Sequence, residues 1–220
     1  MQQLSFDLQI PDIYAKEDFL SLDENFAAVN FLKKFFNQKI FSQSQFHSLI
    51  MRGPAASGKT HLLNIFSKDF QGTFLFEENM SKENLSSFFV ANKFYILEDI
   101  QDFKNEELLL HIINSAVEAK AFLILSSRNK VEFRLKDLAS RIKNIFPLEI
   151  KSPSHDSIKA LLINAFARKQ LKVSGAIINF INDHIERSYE AIEKAVKLIE
   201  FHHQETGKNI NMKEVVKVFK

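Results

Sequence analysis

Residues 53–60 read G-P-A-A-S-G-K-T. A strand-length apolar run, 46–51 (F-H-S-L-I-M), leads into them, and 60–70 continue with helical spacing. Strand, G-x-x-x-x-G-K-[ST], helix is the Walker A arrangement. Glycines let the backbone wrap around phosphate oxygens, while successive N–H groups and the helix N-terminus supply positive potential. Gly53, Pro54, Ala55, Ala56, Ser57 and Gly58, with His61 just beyond, are therefore candidate phosphate-contacting residues. Lys59 is placed to reach the β- and γ-phosphates, and the Thr60 hydroxyl to ligate Mg²⁺. At an average glycine usage of ~7%, the pattern arises by chance in roughly one chain of this length in a hundred. This chain has only 5 Gly in 220 residues, so chance is a poorer explanation still. A surface turn that merely matched would also leave the flanking strand and helix unexplained.

Such a loop needs an acid at the end of a neighbouring strand to hold magnesium. Residues 94–99 read F-Y-I-L-E-D, four apolar residues and then Glu98 and Asp99. Two acids after an apolar run are weak evidence alone. Some 40 residues after a Walker A loop they read as Walker B. One would hold the metal with Thr60, and the other would orient or deprotonate an attacking water. The order is unusual, because Glu98 stands where Asp is customary. Its extra methylene displaces the carboxylate, so nucleotide binding is better supported than turnover.

Strand-length and helical segments alternate through the first two thirds of the chain. Further strands are expected at 73–76, 94–97, 122–125 and 145–150, with helices at 60–70, 105–119 and 136–142. Another helix is expected to follow Ser81, capped by it with Glu83 nearby. In the 105–119 helix, Leu108, Leu109, His111, Ile112, Ile113 and Ala116 recur at helical spacing. The alternation predicts an α/β domain, a parallel sheet with helices on both faces. After Lys151-Ser152-Pro153-Ser154 only helical patterns remain, at 156–170, 174–185, 188–206 and 212–219, with Ser152 or Ser154 as the first N-cap. The expected organisation is an N-terminal peptide over 1–10, an α/β nucleotide-binding domain over 11–151 and a small all-α lid over 152–220.

Composition narrows the class. The net charge of +2 gives no global field for wrapping nucleic acid or lying on a membrane. Cysteine is absent, which removes disulfides and thiolate metal sites and fits a reducing cytoplasm. The N-terminus lacks the basic and apolar regions of a signal peptide. Apolar runs fall far short of the ~20 residues of a membrane helix. The aromatic content is lopsided, with 23 Phe, 3 Tyr and no Trp.

An α/β nucleotide domain followed by a helical lid resembles the AAA+ ATPases. Two stretches resemble one branch, that of the bacterial replication initiator DnaA and its shortened Hda-like relatives. Asp137-Leu138-Ala139-Ser140-Arg141 is similar to the branch's D-L-x-S-R signature, whose arginine finger matches Arg141. Residues 185–190 (I-E-R-S-Y-E) resemble the start of the lid helix bearing the sensor 2 arginine, which implies Arg187. Ser126 and Ser127 fall at the sensor 1 position, where this chain continues with Arg128 rather than the branch's Asp. The segment from Tyr14 to Leu20, followed by Asn25, resembles the part of the family that lies over the adenine, with Tyr14 or Phe19 packing on the base.

Gln3-Leu4-Ser5-Phe6-Asp7-Leu8 resembles the Q-L-x-Φ-x-Φ peptide (Φ apolar) by which bacterial proteins dock on the DNA sliding clamp. Alternation puts Leu4, Phe6 and Leu8 on one side of an extended peptide, with Gln3 free to hydrogen-bond. The alternative is an edge strand of the domain itself. No helix-turn-helix pattern follows the lid segment as far as Lys220, so sequence-specific DNA binding is not expected.

The resemblance implies a negative regulator of replication initiation. It would bind ADP or ATP with Mg²⁺, be tethered to the clamp, and promote ATP hydrolysis by DnaA through Arg141, with weak or no ATPase of its own. A homodimer is left open. Two other readings fit the residues: a self-assembling ATPase such as a helicase loader or clamp-loader-like subunit, and a clamp-binding adaptor that stimulates no hydrolysis. Ser154-His155-Asp156 cannot form a triad from three consecutive positions. His202-His203 has no metal partner at ligand spacing in the sequence. The basic residues of 152–220 alternate with acids and read as a solvated face.

Overall fold

The computed structural model describes residues 14–37, 47–82, 85–128 and 131–219. Strands β1 (Ser48–Arg52), β2 (Thr73–Leu75), β3 (Phe94–Leu97), β4 (Phe122–Ser127) and β5 (Phe146–Glu149) form one sheet in the order β2-β3-β4-β1-β5. Every pairing is parallel, as the strand–helix alternation predicts. The period of two along each strand divides the apolar residues between two cores. Ile50, Tyr95, Leu97, Leu123 and Leu125 face one, which α4 (Glu106–Glu118) and α5 (Lys136–Asn144) cover. Leu49, Met51, Phe94, Ile96, Phe122 and Ile124 face the other, under α1 (Asp23–Asn37) and α2 (Lys59–Phe70).

More of the described phenylalanines pack in this second core than in either of the others. Phe94 and Phe122 are register partners on β3 and β4, and their rings stack with centroids 5.2 Å apart. Phe35 meets Phe122 edge-on at 5.9 Å, and Phe31 stacks on Phe146 at 4.8 Å. Offset and edge-to-face pairs of this kind add ~0.5–1.5 kcal/mol each beyond the area they bury.

Helices α6 (His155–Arg168), α7 (Gly175–His184), α8 (Tyr189–Thr206) and α9 (Met212–Val218) build a third core around Ile158, Leu162, Phe166, Ile181 and Ile199. Four serine or asparagine caps set their starts. The side chains of Ser154, Ser174, Ser188 and Asn211 each accept from a backbone N–H three residues on. Each cap contributes ~1 kcal/mol. Ser154, not Ser152, heads α6.

The structure corrects several expectations. Helix α1 was not anticipated in the sequence, although Ala28, Val29, Leu32 and Phe35 bury one helical face of it. His111 belongs to the exposed side of α4, because an imidazole gains less from burial than the leucines and isoleucines beside it. Helix α3 (Leu85–Phe88) is a single turn; residues 83 and 84, on which the expected Ser81 cap and Glu83 would act, lie outside the described residues. Strand β4 runs on through Ser126 and Ser127, which pair with Met51 and Arg52 and are buried.

Candidate nucleotide-binding site

The phosphate loop leaves the C-terminal end of β1 between β4 and β5, where an open parallel sheet characteristically binds ligands. Its glycines have different physical reasons. A Cβ on Gly53 would come within 3.0 Å of Ile150 Cβ and Ser57 Oγ and 3.1 Å of the Ile150 carbonyl. Gly58 has φ +85°, a conformation that L side chains rarely adopt, and caps α2. The Ser57 hydroxyl is buried without a hydrogen-bond partner among the described residues.

Lys59 is 7% exposed, and its Nζ donates to the carbonyls of Gly53 (3.0 Å) and Pro54 (2.8 Å). Burial lowers its pKa; the charge of Asp99 opposes that shift and the charge of Arg128 adds to it. One residue on, Thr60 donates its hydroxyl to Glu98 Oε1 at 2.7 Å. Burial raises the Glu98 pKa, with the Thr60 hydrogen bond opposing and Asp99 reinforcing the shift. A hydroxyl and a carboxylate therefore converge at the loop. Magnesium takes one or two carboxylates, with water and phosphate oxygens completing its octahedron. Thr60 and Glu98 fit that donor set. Among the described residues no group of three His, Asp or Glu forms a protein-only metal site.

A cleft of about 670 Å³ opens beside the loop, within the usual range for small-molecule sites. Ala56, Ser57, Gly58 and His61 line it from the loop and α2. Phe19, Leu20 and Asn25 close one side; Leu161, Ile192 and Val196 face them from the helical region. Between Tyr14 and Phe19, the structure puts Phe19 on the cleft, its ring edge-on to His61 at 5.4 Å and 3.2 Å from where a Gly58 Cβ would stand. Tyr14 packs behind, 5.6 Å from the His61 ring, and His61 Nε2 lies 2.8 Å from the Ala15 carbonyl.

The two walls are tied together. Asn164 donates to the Asp18 carbonyl at 3.2 Å, and Arg168 lies 3.4 Å from the Asp18 carboxylate. Glu24 on α1 accepts from Ser154 N–H (2.8 Å) and from the Ser157 hydroxyl (2.8 Å) at the head of α6. Burial opposes ionisation of Glu24, but these donors outweigh it and hold its pKa below the ordinary value. Tyr189, at the start of α8, lines the cleft and donates to the Lys151 carbonyl at 3.0 Å; burial pushes its pKa up to about 12.

No family model matches the chain. The chromosomal replication initiator protein DnaA of Bacteroides fragilis (strain YCH46) is 23% identical over 197 aligned residues, which cover 78% of this chain and 41% of that protein. The chain thus spans about two fifths of the length of this curated relative. Domain III of the Thermotoga maritima replication initiation protein DnaA superposes with a TM-score of 0.70 at 16% identity, covering 94% of this chain and 95% of that one. The chain has the AAA+ fold of domain III of DnaA, and its sequence is similar to that of a DnaA. Similar in fold, too, are the initiator DnaA bound to AMPPCP and single-stranded DNA (TM-score 0.65, 17% identity, covering 85% and 64%) and the Thermotoga maritima RuvB branch-migration motor (0.68, 14%, covering 93% and 70%).

Within this fold the candidate residues divide into groups. Residues 53–61 and Glu98 are brought together at the ends of β1 and β3. Ser126 is buried at the end of β4, its Oγ accepting the Asp99 N–H at 3.1 Å. Arg141 is exposed in the last turn of α5 and has no ion pair or side-chain hydrogen bond among the described residues. Arg187 is exposed in the turn between α7 and α8 and is not part of the cleft lining. The cations that do line the cleft are Arg168, Lys169 and Lys197, which the sequence reading set aside as surface. Gln3, Leu4, Phe6 and Leu8 lie outside the described residues. None of the helices among the described residues is long and apolar enough to cross a membrane.

Proposed function

We propose that this DnaA-related chain binds ADP or ATP with Mg²⁺ between the phosphate loop and a lid formed by α6–α9. The base would pack beside Phe19, and phosphate oxygens would take the loop N–H groups and Lys59 Nζ. The ion, held by Thr60 and Glu98, would neutralise phosphate charge. On this reading the protein is a negative regulator of replication initiation. Gln3–Leu8 tethers it to the sliding clamp, raising its local concentration near DnaA. Arg141 then enters the nucleotide site of ATP-bound DnaA.

The observation that carries the trans role is the placement of Arg141. Leu138 and Ile142 anchor α5 in the core, while Arg141 in its last turn is exposed and does not line the chain's own cleft. An exposed guanidinium without an ion pair among the described residues can meet the charge that spreads over the γ-phosphoryl oxygens in the transition state. An arginine supplied in trans is worth ~10³–10⁵ in rate.

Two assays separate the parts of this reading. Titration with a fluorescent adenine nucleotide tests the cleft. Lys59→Ala removes charge-assisted hydrogen bonds worth ~1.5–3 kcal/mol, weakening affinity about 10- to 100-fold. Unchanged affinity would refute the site. Following ADP formation by ATP–DnaA with clamp loaded on DNA tests the regulator. Failure of the wild-type chain to accelerate it would refute that role.

A further inference from the structure

Glu98 and Asp99 follow β3 together, but they are held in different ways. Glu98 meets Thr60. Asp99 turns the chain with φ +49°, in the left-handed region, and its N–H is fixed on Ser126 Oγ. The side chain of Asp99 then joins a closed ring. Gln101 Nε2 donates to Asp99 Oδ1 at 2.9 Å and to Asp102 Oδ2 at 3.1 Å. Gln101 Oε1 accepts the Arg128 N–H at 3.1 Å. Arg128 returns its guanidinium to the same acids, with one terminal nitrogen 3.1 Å from Asp102 Oδ2 and Nε 3.8 Å from Asp99 Oδ1. The ring links the end of β3 to the end of β4. It also stands beside the phosphate loop, since Asp99 and Arg128 both act on the charge of Lys59.

We propose that Gln101 and Arg128 are positioning residues that hold the Asp99 carboxylate away from an attacking water and so restrain hydrolysis of the chain's own bound ATP. The inference rests on nucleotide binding in the cleft. In the restrained reaction the water oxygen bonds to the γ-phosphorus and the bond from that phosphorus to the β–γ bridging oxygen breaks. Its electron pair leaves with ADP, and a water proton passes to a carboxylate. Asp99 is the second acid of the Walker B pair and the one free of Thr60. Gln101 and Arg128 both engage Oδ1, so that acceptor is already taken within the ring. The arrangement accounts for a phosphate loop with both acids present in a chain expected to turn over little ATP. Arg128 is 52% exposed and Asp99 42%, so the restraint is moderate.

The experiment uses the full chain and measures kcat and KM for ATP hydrolysis alongside ADP affinity. Arg128→Gln and Gln101→Leu are expected to raise kcat about two- to fivefold, the range that exposed pairs of this kind allow, with KM and ADP affinity unchanged. Arg128→Lys keeps the cation near both acids and is expected to stay closest to the wild type. Adding Asp99→Asn to either faster variant should abolish the gain. A kcat that does not rise, or a gain that survives Asp99→Asn, overturns the proposal. If the wild-type chain fails to bind ADP, the cleft reading falls first and the restraint with it; binding with no gain refutes the restraint alone.

Discussion

Thr60 Oγ1 and Glu98 Oε1 lie 2.7 Å apart, joining the first turn of α2 to the end of β3. The contact fixes where a cation bridging the protein to a phosphate would sit. Thr60→Val keeps the shape and removes the donor. It leaves a half-buried carboxylate unmatched, which costs ~1–3 kcal/mol of stability. ATP affinity measured with and without Mg²⁺ should then lose most of its magnesium dependence, while metal-free ADP affinity stays near the wild-type value. Full magnesium dependence in the variant would remove Thr60 from the metal site.

Two glycines give opposite expectations. At Gly53 an added methyl meets Ile150 backbone and side chain, so Gly53→Ala should lower stability by ~1–3 kcal/mol and weaken nucleotide binding together. At Gly175, in the first turn of α7, nothing lies within 4 Å of the added Cβ. Gly175→Ala should gain ~0.4–1 kcal/mol by restricting the unfolded chain. Thermal unfolding of both variants checks the pair.

The helical region carries its own pH dependence. Glu214 on α9 is held by Lys217 (3.0 Å) and His202 (3.0 Å), with Lys208 at 3.8 Å, and its pKa falls to about 2. Its folded pKa lies below its unfolded value of 4.5, so its contribution is complete above that value and is lost as pH falls towards 2. Glu214→Gln should lower the unfolding temperature at neutral pH. The wild type and variant should converge as pH falls from 4.5 to 2. A constant gap across that window would contradict the assignment.

What the sequence made legible was local. The loop, the acids after 94–97 and the cap of α6 depend on residues a few positions apart, and of the two serines offered for that cap Ser154 takes it. Helix α1 was hidden because Val29, Phe31 and Phe35 also read as strand formers. Arg128 looked like a missing Asp, because its meaning depends on Gln101 and Asp102 from another strand end. Arg168, Lys169 and Lys197 looked like a solvated face; they reach the cleft because α6 and α8 pack across it. Asp18 and Glu24 find their partners more than 100 residues away, beyond the range of any periodicity.

The claim that matters most is that the chain acts on another protein's nucleotide. Its most direct test is the rate of ADP formation by ATP–DnaA in the presence of clamp loaded on DNA and either the wild-type chain or Arg141→Ala. The account predicts acceleration by the wild type and a loss of about 10³-fold or more in the variant, with the variant's own nucleotide affinity unchanged. Equal acceleration by both proteins would contradict it.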